Sequence, residues 1–418
     1  VNNEKIAILG LGYVGLPLAI AFADHYPVIG FDIDNQKVEQ LRLTHQSVRL
    51  RLSTQVSSLV NATVYIVTVP TPIYIDNRPD LRPLISATEL IAAVLKQGDL
   101  VIYESTVYPG TTEEICIPLL EQQSGLRVGQ DFKVGYSPER INPADDTHTL
   151  TTIPKIVSGT DAIALQRVEQ LYQSILLADV HPVSSIKVAE AAKVIENAQR
   201  DINIAFMNEL SVAFHHMNID TTEVLAAAAT KWNFIPFSPG LVGGHCIGVD
   251  PYYFIYKAGQ LGYPSPLLSA GRKINEGMGQ FIVQQVIKRL ITENNQLPIK
   301  RIGVLGITFK ENCPDIRNSR VVDIIRGLEE YQIEVIVHDP IADLAEVEEQ
   351  YDIKLSTQHA LVNLDACIVA VCHKTFTEMF SPSDFKQALC TGRHTIFDLK
   401  AAFNKRQLVE NGLFVWRL

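Results

Sequence analysis

Short apolar runs alternate with longer amphipathic stretches through the first part of the chain. The runs are KIAILG (5–10), VIGFD (28–32), ATVYIVTVP (62–70), DLVIYEST (99–106), FKVGYSPE (132–139) and KIVSG (155–159). Each has strand length and β-branched residues, and most end in Gly, Asp, Thr or Pro. Near-continuous apolar strands separated by helix-like segments predict an α/β fold with parallel sheets. In such folds ligands bind at the carboxyl ends of the strands.

The pattern changes at about Ser185. From there to Met217 the sequence keeps helical periodicity without Pro or Gly. A helix of this length spans about 45 Å and can connect two domains or build a dimer interface. Asp220–Thr230 and Leu267–Asn294 also read as helices, with a loop-rich stretch (233–253) between them. A second α/β set follows: KRIGVLGITF (300–309), IEVIVHD (333–339), DACIVAVCH (365–373) and HTIFDLK (394–400). Like the first set, it has a Gly-containing turn after the opening strand and a next strand ending in an acid, Asp339. This weak repeat predicts two Rossmann-like parallel-sheet domains joined by a central helical region. The expected division is 1–190, 191–295 and 296–418.

Composition narrows the function classes. The 418 residues are 47% hydrophobic and 20% charged, and 36 Lys+Arg against 46 Asp+Glu leave a net charge of −10. No basic cluster is visible, so nucleic acid and anionic membrane surfaces are poor partners. A locally positive site for a phosphorylated ligand remains compatible with this charge. No apolar run approaches the ~18 residues of a membrane span, and Leu11–Ala23 is broken by Gly12, Gly15 and Pro17. The six cysteines (Cys116, Cys246, Cys313, Cys367, Cys372, Cys390) show no CxxC spacing. They read as reduced thiols of a cytoplasmic protein, with no metal site. A β-like segment from about Lys5 leaves little room for a leader.

GLGYVG (10–15) has the GxGxxG form, directly after a strand and opening an apolar helix. Gly10 permits the tight turn, Gly12 admits a pyrophosphate to the backbone, and Gly15 allows close helix–strand packing. Tyr13 and Val14 complete the turn. Asp32 ends the next strand about 20 residues on, where a carboxylate binds ribose hydroxyls and repels a 2′-phosphate. NAD is therefore expected rather than NADP; FAD is the nearest competitor, without a second flavin signal. Lys37 either reaches the adenosine ribose or a phosphate, or is a solvated helix residue. Thr71 in VPTP and Thr106 in STVYPG end the third and fourth strands, placing them on the nicotinamide side or in mere turns.

Cys246, in LVGGHCIGVD, is the candidate nucleophile. Gly243 and Gly244 give backbone freedom and N–H donors for an oxyanion, and His245 or a bound cofactor could support a thiolate. The other reading is a buried structural thiol, which suits Cys116, Cys367, Cys372 and Cys390. Lys193 and Asn197 share a helical face at i and i+4, with Glu190 one turn earlier. They either hold an alkoxide or form a solvated stripe. Glu139, in YSPER, is placed for general-base work or paired structurally with Arg140.

GLGYVGLP, VPTP, EST, SPER, AEAAKVIEN, the GGHC loop and GITFKEN occur in the order seen in the UDP-glucose/GDP-mannose dehydrogenase family, which the chain resembles over essentially its whole length. TKWNFIPFSPGLVGGHCIGVDPYY is especially similar to the branch that oxidises UDP-N-acetylhexosamines, Vi-antigen-type UDP-N-acetylglucosamine dehydrogenases included. The resemblance implies an NAD-binding Rossmann domain, a helical dimerisation region, a UDP-binding Rossmann-like domain and a homodimer. It implies a four-electron oxidation at C6 with two NAD⁺ and one water, serving a surface polysaccharide. Lys193 and Asn197 would match residues that stabilise the C6 oxygen, and Cys246 the thiol that attacks the aldehyde. Asp250 would match the carboxylate assisting Lys and water, Glu139 the glutamate of thioester hydrolysis, and Lys310 a basic position near the nucleotide. Arg140 and Gly243 join the substrate-side candidates, and Thr106 the catalytic ones.

The chemistry fits these residue types. A free aldehyde has no second hydride to give until a nucleophile adds, and a thiohemiacetal supplies it. Val249 stands where the UDP-glucose branch carries Lys, which argues against UDP-glucose. IFDLKAAF lacks an Arg that the family often carries, and Ser238 replaces a larger basic residue. UDP-N-acetylglucosamine is the favoured substrate, with UDP-N-acetylgalactosamine the alternative. Two further readings are a two-electron hydroxyacid-type NAD dehydrogenase and a non-catalytic NAD-binding protein.

Overall fold

A computed structural model describes residues 4–45, 47–141, 147–293 and 298–418. The chain forms two compact units: Val1–Asn197 with Tyr252–Pro264, and Ala198–Pro251 with Ser265–Leu418. The first holds strands β1 (Ile6–Leu9), β2 (Val28–Phe31), β3 (Leu50–Ser53), β4 (Val64–Val67), β5 (Leu100–Tyr103), β6 (Lys133–Tyr136), β7 (Lys155–Gly159) and β8 (Val180–Pro182). Its helices include α1 (Gly15–Ala23), α2 (Asn35–Thr44), α3 (Arg82–Ala92), α4 (Ile117–Ser124) and α5 (Ala162–Gln173). The sheet order is β3-β2-β1-β4-β5-β6-β7-β8. The order reverses at β1, which opens a crevice between the ends of β1 and β4.

Both faces of this sheet are covered, which explains the continuous apolar runs. Ala7, Leu9, Tyr65, Val67, Val101 and Tyr103 pack on one side. Ile6, Ile8, Val64, Ile66, Leu100 and Ile102 pack on the other. The two-residue alternation of strand side chains sorts them. Asp34 and Asp161 start α2 and α5 by accepting from the amides of Lys37 (3.1 Å) and Ala164 (2.8 Å), a common N-cap arrangement.

Three features depart from the sequence expectation. β3 is an added edge strand with Arg51 exposed between buried Leu50 and Leu52. Its polar–apolar alternation hides it from a search for continuous apolar runs. β8 is short and largely solvated. β6 and β7 pair antiparallel, so the sheet is mixed rather than wholly parallel.

Helix α6 (Ile186–Met217) runs unbroken for 32 residues. It is followed by α7 (Thr221–Ala228), α8 (Asp250–Gln260) and α9 (Pro266–Glu293). The end of the supposed 233–253 loop is thus the start of a helix. For the helix expected to end at Asn294, that last residue lies outside the described residues, as does the 295/296 division. The compact units divide within α6 because both draw on this helix.

The second unit carries an all-parallel sheet of β9 (Arg301–Leu305), β10 (Glu334–His338), β11 (Ala366–Val369), β12 (Thr395–Asp398) and β13 (Phe414–Trp416), in the order β10-β9-β11-β12-β13. β13 is additional to the strands read from sequence. Helix α10 (Val321–Glu329) follows β9 and packs beside α9 around a core that includes Ile282, Val286, Ile324 and Leu328.

Within this unit a buried polar chain ties α6 to α9 and to the loop leading towards Cys246. Arg272 Nη1 and Asn275 Nδ2 each donate to Asp201 Oδ1 at 2.7 Å. Asn208 Nδ2 donates to Asn275 Oδ1 (2.8 Å) and to Gly240 O (3.0 Å), and Gly240 N–H returns a bond to Asn208 Oδ1 (2.8 Å). Asp201 and Arg272 are both almost fully buried. Removing one partner of such a pair leaves an uncompensated charge. Arg272→Met is therefore expected to destabilise this unit by about 3–5 kcal/mol. Guanidinium unfolding followed by circular dichroism measures it, and an unchanged midpoint would show that the buried pair does not brace the unit.

Candidate active site

The turn after β1 is shaped by two close approaches. Gly10 has φ +95°, and a Cβ there would meet Thr68 O at 3.0 Å. A Cβ on Gly15 would stand 1.9 Å from Gly10 O, so the start of α1 can sit against the strand only as glycine. Gly12 differs: no heavy atom lies within 4 Å of its would-be Cβ. The turn is sealed against the sheet at Gly10 and Gly15 and open at Gly12. Tyr13 is 43% exposed, and Val14 sits at the head of α1.

Asp32 closes the arrangement. Its Oδ2 accepts from Leu11 N–H and Lys37 Nζ (both 2.8 Å), and its Oδ1 from Asp34 N–H (3.1 Å). Burial raises its carboxyl, but the Lys37 bond and the two amides outweigh this and hold it below its ordinary value. The group is ionised at neutral pH, with about one lone-pair site left beyond those three donors. An open glycine for the pyrophosphate and an ionised acid for a ribose diol fit NAD. Lys37 pairs with Asp32 rather than standing as a solvated helix residue.

Thr71 Oγ1 donates to Thr106 O (2.7 Å), linking the turns after β4 and β5. Tyr253 OH donates to Thr71 O (2.6 Å). Both threonines are partly buried.

Glu139 follows β6. Its Oε1 accepts from the amides of Arg140 (2.6 Å) and Ile141 (2.8 Å), and its Oε2 from Lys155 Nζ (3.1 Å). The expected pairing with the Arg140 side chain is not what holds it. That guanidinium donates to Pro154 O (2.9 Å) and pairs with Glu196 (2.8 Å). Lys155 also donates to Glu104 Oε2 at 2.9 Å. Sequence reasoning passed over Lys155 and Glu104. Lys155 opens an apolar strand, where a charge usually reads as solvent-facing. Glu104 was visible only as the acid just before Ser105 and Thr106, at the carboxyl end of β5.

Lys193 and Asn197 are each only 8% exposed, so a solvated stripe is excluded. No carboxylate pairs with Lys193 within 4.0 Å inside its own unit among the described residues. Glu190 has turned to another task. Fully buried, it accepts from the amides of Gly110 (2.5 Å) and Thr112 (2.9 Å), at the start of the helical segment that becomes α4.

In the second unit, Cys246 lies in the turn before α8. Its carbonyl accepts from Val249 N–H (3.1 Å) and Asp250 N–H (2.8 Å), and Asp250 is buried as the first residue of the helix. The preceding glycines have a packing reason. A Cβ on Gly243 would meet Asn318 O at 2.5 Å, and one on Gly244 (φ +81°) would meet the Phe309 ring at 2.8 Å. His245 is pushed down to about 4 by burial and by Arg317, against Asp315. It is neutral, so it lends Cys246 no positive charge at neutral pH. Cys246 is partly exposed, while burial drives the Cys116, Cys367 and Cys372 thiols up to about 12. Cys390, read as buried from sequence, is partly exposed.

Phe309 and Lys310 lie on the loop after β9, which repeats the first sheet's device. Gly306 (φ +86°) is followed by Ile307, whose amide donates to Asp339 Oδ2 (2.7 Å). Thr308 N–H (3.3 Å), Ile341 N–H (2.9 Å) and Ala342 N–H (3.0 Å) add to the same carboxylate. Here the acid is sealed. Asn312 N–H donates to His373 Nδ1 (2.9 Å), so the ring proton sits on Nε2 and is given to Asp339 Oδ2 (3.0 Å). Burial opposes the Asp339 charge, yet His373 and the amides hold its carboxyl well below the usual range. Thr308 Oγ1 donates to Lys310 O (2.9 Å), fixing the basic residue's backbone.

Among the described residues no group of three or more His, Cys, Asp or Glu is arranged for a metal, and no helix is long and apolar enough to cross a membrane.

Comparison with known proteins fits this geometry. Models of the UDP-glucose/GDP-mannose dehydrogenase family match in sequence order: the NAD binding domain at 4–176, the central domain at 187–277 and the UDP binding domain at 303–405. The UDP-N-acetyl-D-glucosamine 6-dehydrogenase of Salmonella typhi is 46% identical over 412 residues, 96% of each chain. The chain belongs to the UDP-glucose/GDP-mannose dehydrogenase family. The protein of the same name from Pseudomonas aeruginosa is 48% identical over 411 residues, 96% of this chain and 97% of that one. Among solved structures, the UDP-D-ManNAc dehydrogenase of Pyrococcus horikoshii superposes with a TM-score of 0.88 at 29% identity, covering 99% of both chains. Family membership makes this an NAD-dependent nucleotide-sugar dehydrogenase, and its two Rossmann-like sheets with central helices are the expected architecture.

Glu190 gives a pH test of the first unit. Burial pushes its carboxyl up to about 7 from 4.5, against the two amides. A value raised in the folded state stabilises fully below about 4.5 and is lost as pH rises through about 7. Glu190→Gln is expected to flatten the fall in unfolding free energy between about pH 5 and about pH 8, by about 2–3 kcal/mol. Urea unfolding at each pH reads it, and parallel curves for the two proteins would contradict it.

Proposed function

We propose that the protein oxidises the C6 hydroxymethyl of a UDP-N-acetylhexosamine to the uronic acid in the cytoplasm, for a surface polysaccharide. UDP-N-acetylglucosamine is the favoured substrate. The observation that carries this reading is end-to-end similarity to two UDP-N-acetyl-D-glucosamine 6-dehydrogenases. The parts 1–190, 191–295 and 296–418 serve NAD, helical association and UDP binding, and the enzyme works as a homodimer. Exposed apolar residues of α6, Ile195 and Phe206, support that association.

Bound NAD supplies the hydride acceptor, twice for each sugar. Gly10, Gly12, Gly15 and Asp32 would hold it, and Thr71 and Thr106 would join them. Lys193 and Asn197 stabilise the C6 oxygen as the alcohol gives its proton to water and its hydride to the acceptor. The Cys246 thiolate then adds to the aldehyde carbon, and the thiohemiacetal loses the second hydride to become a thioester. Glu139 takes a proton from water as its oxygen adds to the thioester carbonyl, with Asp250 assisting, and Cys246 departs with the C–S electron pair. Lys310, Arg140 and Gly243 belong to the substrate side. A two-electron dehydrogenase would have no use for the cysteine.

Four measurements test this. Exhaustive turnover of limiting UDP-N-acetylglucosamine is expected to yield two NADH per sugar; one would indicate a two-electron enzyme. Cys246→Ser is expected to lower kcat by at least about a thousandfold, and acid-quenched parent enzyme to carry a sugar-acyl mass on Cys246. A higher kcat/KM with UDP-N-acetylgalactosamine would reassign the substrate while keeping the chemistry.

A further inference from the structure

We propose that Lys155, backed by Glu104, is the positioning residue that sets its ammonium against Glu139 and aims that carboxylate for water activation. Lys155 Nζ lies between two carboxylates, 2.9 Å from Glu104 Oε2 and 3.1 Å from Glu139 Oε2. The side chains of Glu104, Lys155 and Glu139 are 0%, 5% and 10% exposed. The cluster therefore runs from the interior to one carboxylate that meets the site.

Behind it, Tyr172 OH donates to Glu104 Oε1, and the Tyr172 ring lies 4.9 Å from Lys155 Nζ. Burial would strip Lys155 of its proton, but Glu104 and Glu139 outweigh it, so the ammonium persists. Burial pushes Tyr172 well up, so it stays a phenol donor.

A buried ion cluster of this kind adds little net stability, because desolvating its charges offsets their attraction. What it delivers is a fixed positive charge against Glu139. The amides of Arg140 and Ile141 hold Oε1, and Lys155 holds Oε2. The carboxylate plane is thereby set, leaving about one lone-pair site for a water proton. The charged and titratable groups around Glu139, among the described residues, are Lys155 on β7, Glu104 after β5, Tyr172 on α5, and the Arg140 guanidinium held by Glu196. Glu104 competes with Glu139 for the same ammonium. Removing Lys155 and removing the Glu104 charge therefore act on Glu139 in opposite directions.

This inference rests on reading Glu139 as the water-activating base, so Glu139→Gln is the first arm of the test. If that variant keeps the parental kcat and accumulates no acyl-enzyme, the reading of Glu139 fails whatever Lys155 does. If it is slow and acylated, the Lys155 arms decide. Lys155→Met is expected to lower kcat at pH 7 by about 10- to 100-fold. It should also shift the acid limb of the kcat profile up by about one pH unit, with KM for the UDP-sugar little changed. Lys155→Arg should recover most of the loss, and Glu104→Gln should shift the acid limb down. Unmoved limbs, or limbs displaced in the same direction, overturn the proposal. Should Lys155→Met not fold, Glu104→Gln decides alone: a downward shift supports the proposal, and no shift or an upward one overturns it.

Discussion

In each sheet, a carboxylate at the end of the second strand accepts a hydrogen bond from the amide that follows a left-handed glycine at the end of the first. Asp32 takes Leu11 N–H, and Asp339 takes Ile307 N–H. The bond fixes the turn on which each nucleotide-binding crevice is built. It works only because Gly10 and Gly306 reach positive φ and lie close to the end of a third strand, at Thr68 and Val371. A side chain at either position would meet backbone and force the turn away from the acid.

The two copies of this device diverge in what else reaches the acid. Asp32 keeps solvent access and a partly exposed partner, Lys37, so a ribose can still approach. Asp339 is sealed by His373, whose tautomer is set by Asn312. The second acid therefore serves the turn itself, its side chain fully buried. The loop after β9 packs Phe309 and Asn318 against Gly244 and Gly243, immediately before His245 and Cys246. The loop after β9 and the glycine loop before Cys246 are thus packed together inside one unit.

Buried charge recurs with different uses. Asp201 and Arg272 cross-brace two helices, Glu190 caps a helical segment, and Lys155 stands between Glu104 and Glu139. In each case the charges are matched by partners from distant parts of the chain. Their cost in desolvation is met only after the fold has assembled.

The glycine turn with Asp32, the parallel core of the first sheet, strands β9 to β12 of the second and the long helix were legible in the sequence. Their signals are local: strand-length apolar runs, helical periodicity, and glycines at fixed spacing. Edge strands β3, β8 and β13 were not, because a short or alternating segment becomes a strand only when a neighbour offers hydrogen bonds. Nor could the sequence tell which acid would stay open. Asp32 and Asp339 look alike along the chain, and only the approach of His373, from 34 residues beyond Asp339, seals one of them. Likewise the sequence offers Glu139 as a general base or as a partner of adjacent Arg140, and tertiary packing brings Lys155 to it. The sequence by itself determined which groups are present and the local turns that carry them. The tertiary structure decided which charges meet, because burial and pairing depend on residues far apart in the chain.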